Sequence, residues 1–123
     1  MKLKEDFFRV ISTSHTATGI DYKVVFNPEH QIYKSHFPNN PITPGVCIIQ
    51  IVKELAIEIT NHNLFLKKLS SAKFLNVINP LKNEEVTFSI FISLKEDEKY
   101  KVDALVYHEH LQFAKLSMLF NKQ

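Results

Sequence analysis

The residues best equipped for chemistry fall in one run, His30-Gln31-Ile32-Tyr33-Lys34-Ser35-His36-Phe37-Pro38-Asn39-Asn40-Pro41-Ile42-Thr43-Pro44-Gly45-Val46. His36 is the candidate base, because an unperturbed imidazole titrates near 6.5 and is largely neutral, ready to accept a proton, at neutral pH. Pro38, Pro41 and Pro44 fix three backbone φ angles beside it, which lowers the entropy lost in holding the ring in one place. The apolar run that opens at Gly45 reads as a helix. The first turn of a helix carries unpaired N–H groups and the positive end of its dipole. Gly45 has no side chain, so a carbonyl can approach its N–H closely. The combination predicts proton removal from a carbon beside a carbonyl, with the charge developing on oxygen held at the helix start. One such donor is typically worth about 3 kcal/mol of barrier.

The elements that must position these groups follow from hydrophobic periodicity. Phe8, Val10 and Ile11, then Ile20, Tyr22, Val24 and Phe26, predict a strand pair separated by the polar run Ser12 to Gly19. Asn27 to Pro44, dense in Pro and Asn, predicts a structured loop without long regular structure. Gly45 to Ile59 is apolar on nearly all sides until Lys53, Glu54 and Glu58, which predicts a buried helix ending near Asn61 to Asn63. Thr43 suits its N-cap and Pro44 its first turn. Leu64 to Ile78, Glu84 to Leu94, Lys99 to His108 and Leu111 to Phe120 read as strands of an antiparallel meander, divided by Asn79-Pro80, Lys95 to Glu98 and Glu109-His110. One buried helix with five or six long strands gives an α+β domain, a sheet wrapped around the helix.

Composition narrows the function classes. A chain of 123 residues, 45% apolar and 23% charged, fits a single globular domain over 1–123. The net charge of +2 comes with scattered lysines, so nothing marks a nucleic-acid surface. Gly19 and Gly45 are the only glycines, too few for a phosphate-cradling loop, which argues against nucleotide chemistry. The single cysteine, Cys47, excludes an intrachain disulfide and sits where a thiol acts as a small hydrophobe. His15, His62, His108 and His110 lack ligand spacing with a third acidic or thiol group, so they read as solvated and no metal is expected. Met1 to Asp6 is mostly polar and no apolar stretch reaches the roughly 18 residues a membrane span requires; the expectation is a cytoplasmic protein.

His36-Phe37-Pro38, Pro41 and Pro44-Gly45-Val46 at this spacing resemble the signature of the 3-hydroxyacyl-(acyl carrier protein) dehydratases. The resemblance implies a hotdog fold, a curved sheet around one long central helix, paired into a homodimer, with a trimer of dimers as an alternative. It also implies acyl carrier protein as partner, delivering the acyl chain on a phosphopantetheine arm, with no cofactor. By position, His36 matches the catalytic histidine and Gly45 the donor to the thioester carbonyl. The family's acid, supplied by the other protomer five positions after the glycine, falls on Gln50 here. An amide can orient a hydroxyl or a water but cannot release a proton as an acid does. Glu54, one helical turn further on the same face, stands near where the family pattern has a glutamine. Three routes stay open: His36 acting alone as base and then acid, Glu54 reaching the site directly or through water, or a site with other chemistry such as thioester hydrolysis. A non-catalytic acyl-binding subunit is the alternative from another class. Phe37, Val46, Ile48, Ile49 and Phe74 suit either an acyl channel or the core, and His30 suits support of the loop.

Overall fold

The computed structural model describes Met1–Gln123. Six antiparallel strands form one sheet: β1 (Phe8–His15), β2 (Ile20–Phe26), β3 (Leu64–Phe74), β4 (Val86–Lys95), β5 (Lys99–His108) and β6 (Leu111–Lys122). Their spatial order is β1-β2-β4-β5-β6-β3. A one-turn helix, α1 (Gln31–Ser35), precedes the long helix α2 (Gly45–Thr60). This is the expected α+β hotdog architecture.

Period-two alternation puts Phe88, Ile90, Val102, Ala104, Val106, Ala114, Leu116, Met118 and Phe120 on one face of the sheet, all buried. They meet Ile48, Ile51, Val52, Leu55 and Ala56 of α2 in a single core. Each fully buried large side chain contributes about 1.5–3 kcal/mol of transfer free energy, so the face of α2 toward the sheet is fixed by the strand pattern. Asn61 closes α2 in the left-handed conformation at φ 57, its N–H donating to the Ile57 carbonyl. No helix is long and apolar enough to cross a membrane.

Several boundaries differ from the sequence reading. β1 continues through Ser12–His15, residues read as a separator, because the β1–β2 ribbon extends beyond the helix and both faces of that end are in water. The turn is only Thr16–Gly19, where the Thr16 hydroxyl accepts from the Thr18 and Gly19 amides. A side chain at Gly19 would sit 2.1 Å from the Ile90 carbonyl oxygen, so the close β2–β4 approach requires glycine there. The predicted loop contains α1, whose cap comes from a histidine rather than the Ser, Thr, Asp or Asn that cap most helices. The meander holds for β4-β5-β6 only. β3 stops at Phe74 instead of Ile78 and pairs with β6 at the far edge, since α2 has already carried the chain across the sheet.

Candidate active site

The loop that carries His36 is held by its own backbone and by the segment before β1. His30 caps α1: its Nδ1 accepts from the Ile32 N–H at 3.1 Å, which leaves the proton on Nε2 to donate to Asp6 at 3.1 Å. The Phe7 ring meets the His30 ring edge-on and stacks on Tyr33, both with centroids at 5.1 Å. His30 therefore supports the loop, as its position suggested. Downstream, the His36 N–H donates to the Ile32 carbonyl, and the His36 carbonyl accepts from the Ile42 N–H at 2.8 Å. Phe37 and Asn40 exchange both backbone bonds across the Pro38-Asn39 turn.

The His36 side chain is exposed. Its Nδ1 lies 3.4 Å from the Ile32 carbonyl oxygen, a long contact in which only a protonated Nδ1 can donate. With the proton on Nδ1, Nε2 is the ring's acceptor, the form a general base requires. Phe37 next to it is 52% exposed.

Helix α2 begins without a side-chain cap. Pro44 is its N-cap residue, one position later than predicted, and Thr43 does not cap. The Thr43 hydroxyl is instead paired with the Tyr33 hydroxyl at 2.7 Å in the buried interior, and the Thr43 N–H donates to the Ile78 carbonyl. The Tyr33 hydroxyl is pushed above its ordinary range by burial, so it remains a neutral partner for Thr43. Cys47 and Ile48 donate back to the Pro44 carbonyl, whereas the Gly45 and Val46 amides have no backbone acceptor. The helix thus opens on two free N–H groups with the positive end of its dipole behind them.

Phe74, from the end of β3, lies over this opening. A Cβ built on Gly45 would meet its ring at 2.9 Å, so a side chain there would have to displace the half-exposed ring. Phe74 is 49% exposed and Val46 69%, while Ile48 is buried and Ile49 partly so. Ile48 thus belongs to the core, while Phe74 and Val46 are exposed apolar side chains at the helix start. Cys47 is buried, with its thiol pushed up by desolvation, in keeping with a small hydrophobe.

Gln50 and Glu54 face a different neighbour. The Gln50 Nε2 donates to the Met1 carbonyl at 2.7 Å and to Glu54 Oε2 at 3.0 Å. Both amide hydrogens are used, leaving Oε1 as the free acceptor. Glu54 accepts from the Leu3 N–H at 2.8 Å and the Lys4 N–H at 2.9 Å besides Gln50, and the Lys4 ammonium pairs with Glu58. A cavity of about 490 Å³ lies beside Gln50, Glu54 and Lys53. The sequence carried no signal for this clasp: Met1 to Asp6 read as polar, yet Leu3 is buried and anchors the segment. The pairing of Tyr33 with Thr43 was equally hidden, because neither residue's own pattern names the other. A larger groove of about 620 Å³, across β2 to β6, holds none of the predicted site residues.

Against this geometry stand the similarities to known proteins. The family model described as ApeI-like, ApeI dehydratase, matches residues 12–113. A 3-hydroxyacyl-[acyl-carrier-protein] dehydratase FabZ of Rickettsia africae is 28% identical over 78 residues, 57% of this chain and 52% of that protein. The FabZ of Rickettsia massiliae aligns to the same extent. The chain therefore spans about half the length of the curated relatives it matches. Among solved structures, the dehydratase heterocomplex ApeI:P from Xenorhabdus doucetiae superposes with a TM-score of 0.66 at 17% identity, covering 91% of this chain and 96% of that one. A thioesterase-superfamily protein superposes at 0.64 and 13% identity, covering 92% and 82%. At such identities these two structures show the fold, whereas the family match spans most of the sequence, and the chain belongs to the ApeI-like dehydratase family of hotdog proteins.

Proposed function

We propose that this chain dehydrates 3-hydroxyacyl thioesters, carried on acyl carrier protein, to trans-2-enoyl thioesters in fatty acid or related lipid biosynthesis. The observation that carries the reading is the uncapped start of α2, with free Gly45 and Val46 amides, in the same short segment as an exposed imidazole whose Nε2 is unoccupied. The thioester carbonyl accepts from the Gly45 N–H. His36 Nε2 removes a proton from the carbon between that carbonyl and the hydroxyl-bearing carbon, and the enolate charge is held by the helix start. The protonated His36 then returns the proton to the departing hydroxyl, the carbon–oxygen bond breaks, and water leaves. Gln50 contributes through Oε1, which accepts from the substrate hydroxyl and orients it. Glu54, already accepting three N–H bonds, supports Gln50 rather than supplying a proton. Phe37, Val46 and Phe74 bind the acyl chain. No metal or diffusible cofactor enters this route.

The exposed apolar side chains at the helix start and the free edge of β3 support a homodimer in which a second copy covers the acyl chain, and the surroundings expected for it are cytoplasmic. The test is hydration of a crotonyl or longer enoyl thioester of acyl carrier protein, followed by loss of the enoyl absorbance. Wild type turns over and His36→Ala does not; equal rates for the two end the proposal.

Gln50 favours a second reading, an acyl-thioester-binding subunit that relies on another chain for its acid. Wild type inert alone, with activity appearing in Gln50→Glu, supports that alternative. Release of free thiol from a saturated acyl thioester indicates hydrolysis instead.

A further inference from the structure

We propose that His30 is a positioning residue for His36: its neutral ring caps α1 and thereby holds the Ile32 carbonyl that keeps the proton on His36 Nδ1. The inference deepens the dehydratase reading above, and its catalytic consequence rests on that reading. Helix α1 is one turn long, too short to persist on its own, so the groups at its two ends decide how well it forms. Both of those groups are histidines. His30 is the N-cap, and His36 is the C-cap, whose backbone N–H donates to the Ile32 carbonyl at 3.1 Å. The same carbonyl oxygen lies 3.4 Å from His36 Nδ1. One carbonyl thus meets both the backbone and the ring of His36. Which nitrogen of an imidazole carries the proton is set by the acceptor its surroundings offer, and here that acceptor faces Nδ1.

The cap itself depends on the state of the His30 ring. Its Nδ1 accepts from the Ile32 N–H only when it carries no proton, so the ring must be neutral with its hydrogen on Nε2. Asp6 selects that form by accepting from Nε2 at 3.1 Å. The His30 side chain is 15% exposed and the Phe7 ring meets it edge-on, which leaves it little freedom to turn. Its backbone carbonyl adds a bond from the Tyr33 N–H at 3.0 Å. Ile32 is therefore held at its N–H by one imidazole and offers its carbonyl to the other. Without the cap the first turn of α1 frays, the carbonyl loses its fixed place, and the exposed His36 ring returns to the mixture of tautomers it has in water. Only the tautomer with Nε2 bare can take a proton from substrate through that atom.

The test compares wild type, His30→Ala, His30→Asn and Asp6→Ala in two measurements. Nitrogen NMR of the His36 ring, at about pH 8.5 where ordinary imidazoles are neutral, reads the tautomer without substrate, and steady-state hydration of an enoyl thioester reads the rate. Wild type is expected to carry the His36 proton on Nδ1. In His30→Ala that form falls about fivefold, the size of one N-cap bond, and kcat falls by about as much with KM little changed. His30→Asn supplies a standard capping oxygen to the same N–H and keeps both within about twofold of wild type. Asp6→Ala, at an exposed side chain, shifts the His36 ring in the same direction as His30→Ala, by about twofold. Both His30 variants lose the ring against Phe7, so a His30→Asn protein as impaired as His30→Ala means that packing is what His30 supplies, and the proposal fails. An unchanged His36 ring in His30→Ala also overturns it and, should that variant not fold, so does an unchanged ring in Asp6→Ala. A ring that responds as expected in a protein with no turnover upholds the control of His36 by His30 and sinks the dehydratase reading.

Discussion

The opening of α2 and the stripe formed by Gln50, Glu54 and Glu58 lie on one helix and are built on opposite terms. At the opening, two amides have no acceptor, the Phe74 ring beside them is half in water, and the N-cap residue is Pro44, which has no side-chain acceptor to offer. Along the stripe, Gln50 Nε2 and both Glu54 oxygens are bound to the Met1–Lys4 backbone or to each other and Glu58 pairs with the Lys4 ammonium, while Gln50 Oε1 stays free. Unsatisfied donors at a helix end are kept where something else is to fill them, and saturated acceptors are the mark of structure. The difference teaches that Glu54 fastens the N-terminal segment to the helix, whereas the helix start keeps its Gly45 and Val46 amides open.

The most severe way to break the comparison is His36→Ala. The dehydration rate should fall about 10²–10⁴-fold, the usual contribution of a positioned acid–base group, with the thermal midpoint unchanged because the side chain is exposed. Steady-state kinetics beside a melting curve settles it; a large loss of stability with a small loss of rate reverses the roles assigned to the two regions. Gly45→Ala comes next. Its methyl group meets the Phe74 ring at 2.9 Å and crowds the free amide, so a drop of about 10²-fold in kcat is expected, partly recovered when Phe74→Leu is added. Failure of the second change to recover rate would show that the ring is not the obstacle.

Gln50→Glu sharpens the contrast from the other side. It removes the donor to the Met1 carbonyl and sets two carboxylates on adjacent turns, costing about 1–3 kcal/mol in denaturant unfolding at neutral pH. A neutral or stabilising effect means the clasp is not structural. The smallest effect concerns alkaline pH. The Tyr33 hydroxyl is held above its ordinary value near 10 by burial, so above that pH the unfolded chain loses a proton that the folded chain retains. Its contribution is complete below pH 10 and is lost as pH rises, at about 1.4 kcal/mol per pH unit. Tyr33→Phe should remove that slope; an unaltered alkaline limb counts against the buried hydroxyl.

How far the chain could be read in advance also divides along these lines. The buried helix and long strands were legible because their apolar residues keep one period, as from Val102 to Val106 and from Leu116 to Phe120. The turn-rich segment around His36 was legible because Pro38, Pro41 and Pro44 are local signals. What was not legible needed distant partners. Thr43 read as a cap because nothing near it in sequence announces that Pro44 stays extended and starts the helix one residue later. Glu54 read as a candidate acid because its partners, the Leu3 and Lys4 amides, are about 50 residues away. The place of β3 at the far edge, beside β6, follows from the path of α2 and not from any property of its own residues.

The segment before β1 ties the two regions together. Asp6 grips His30, Phe7 stacks on Tyr33, and Leu3 and Lys4 hang from Glu54. The first seven residues therefore act as a tie rod between the histidine loop and the middle of the helix. Any alteration of them, however remote from His36 in sequence, will be transmitted to the placement of the loop that carries His36.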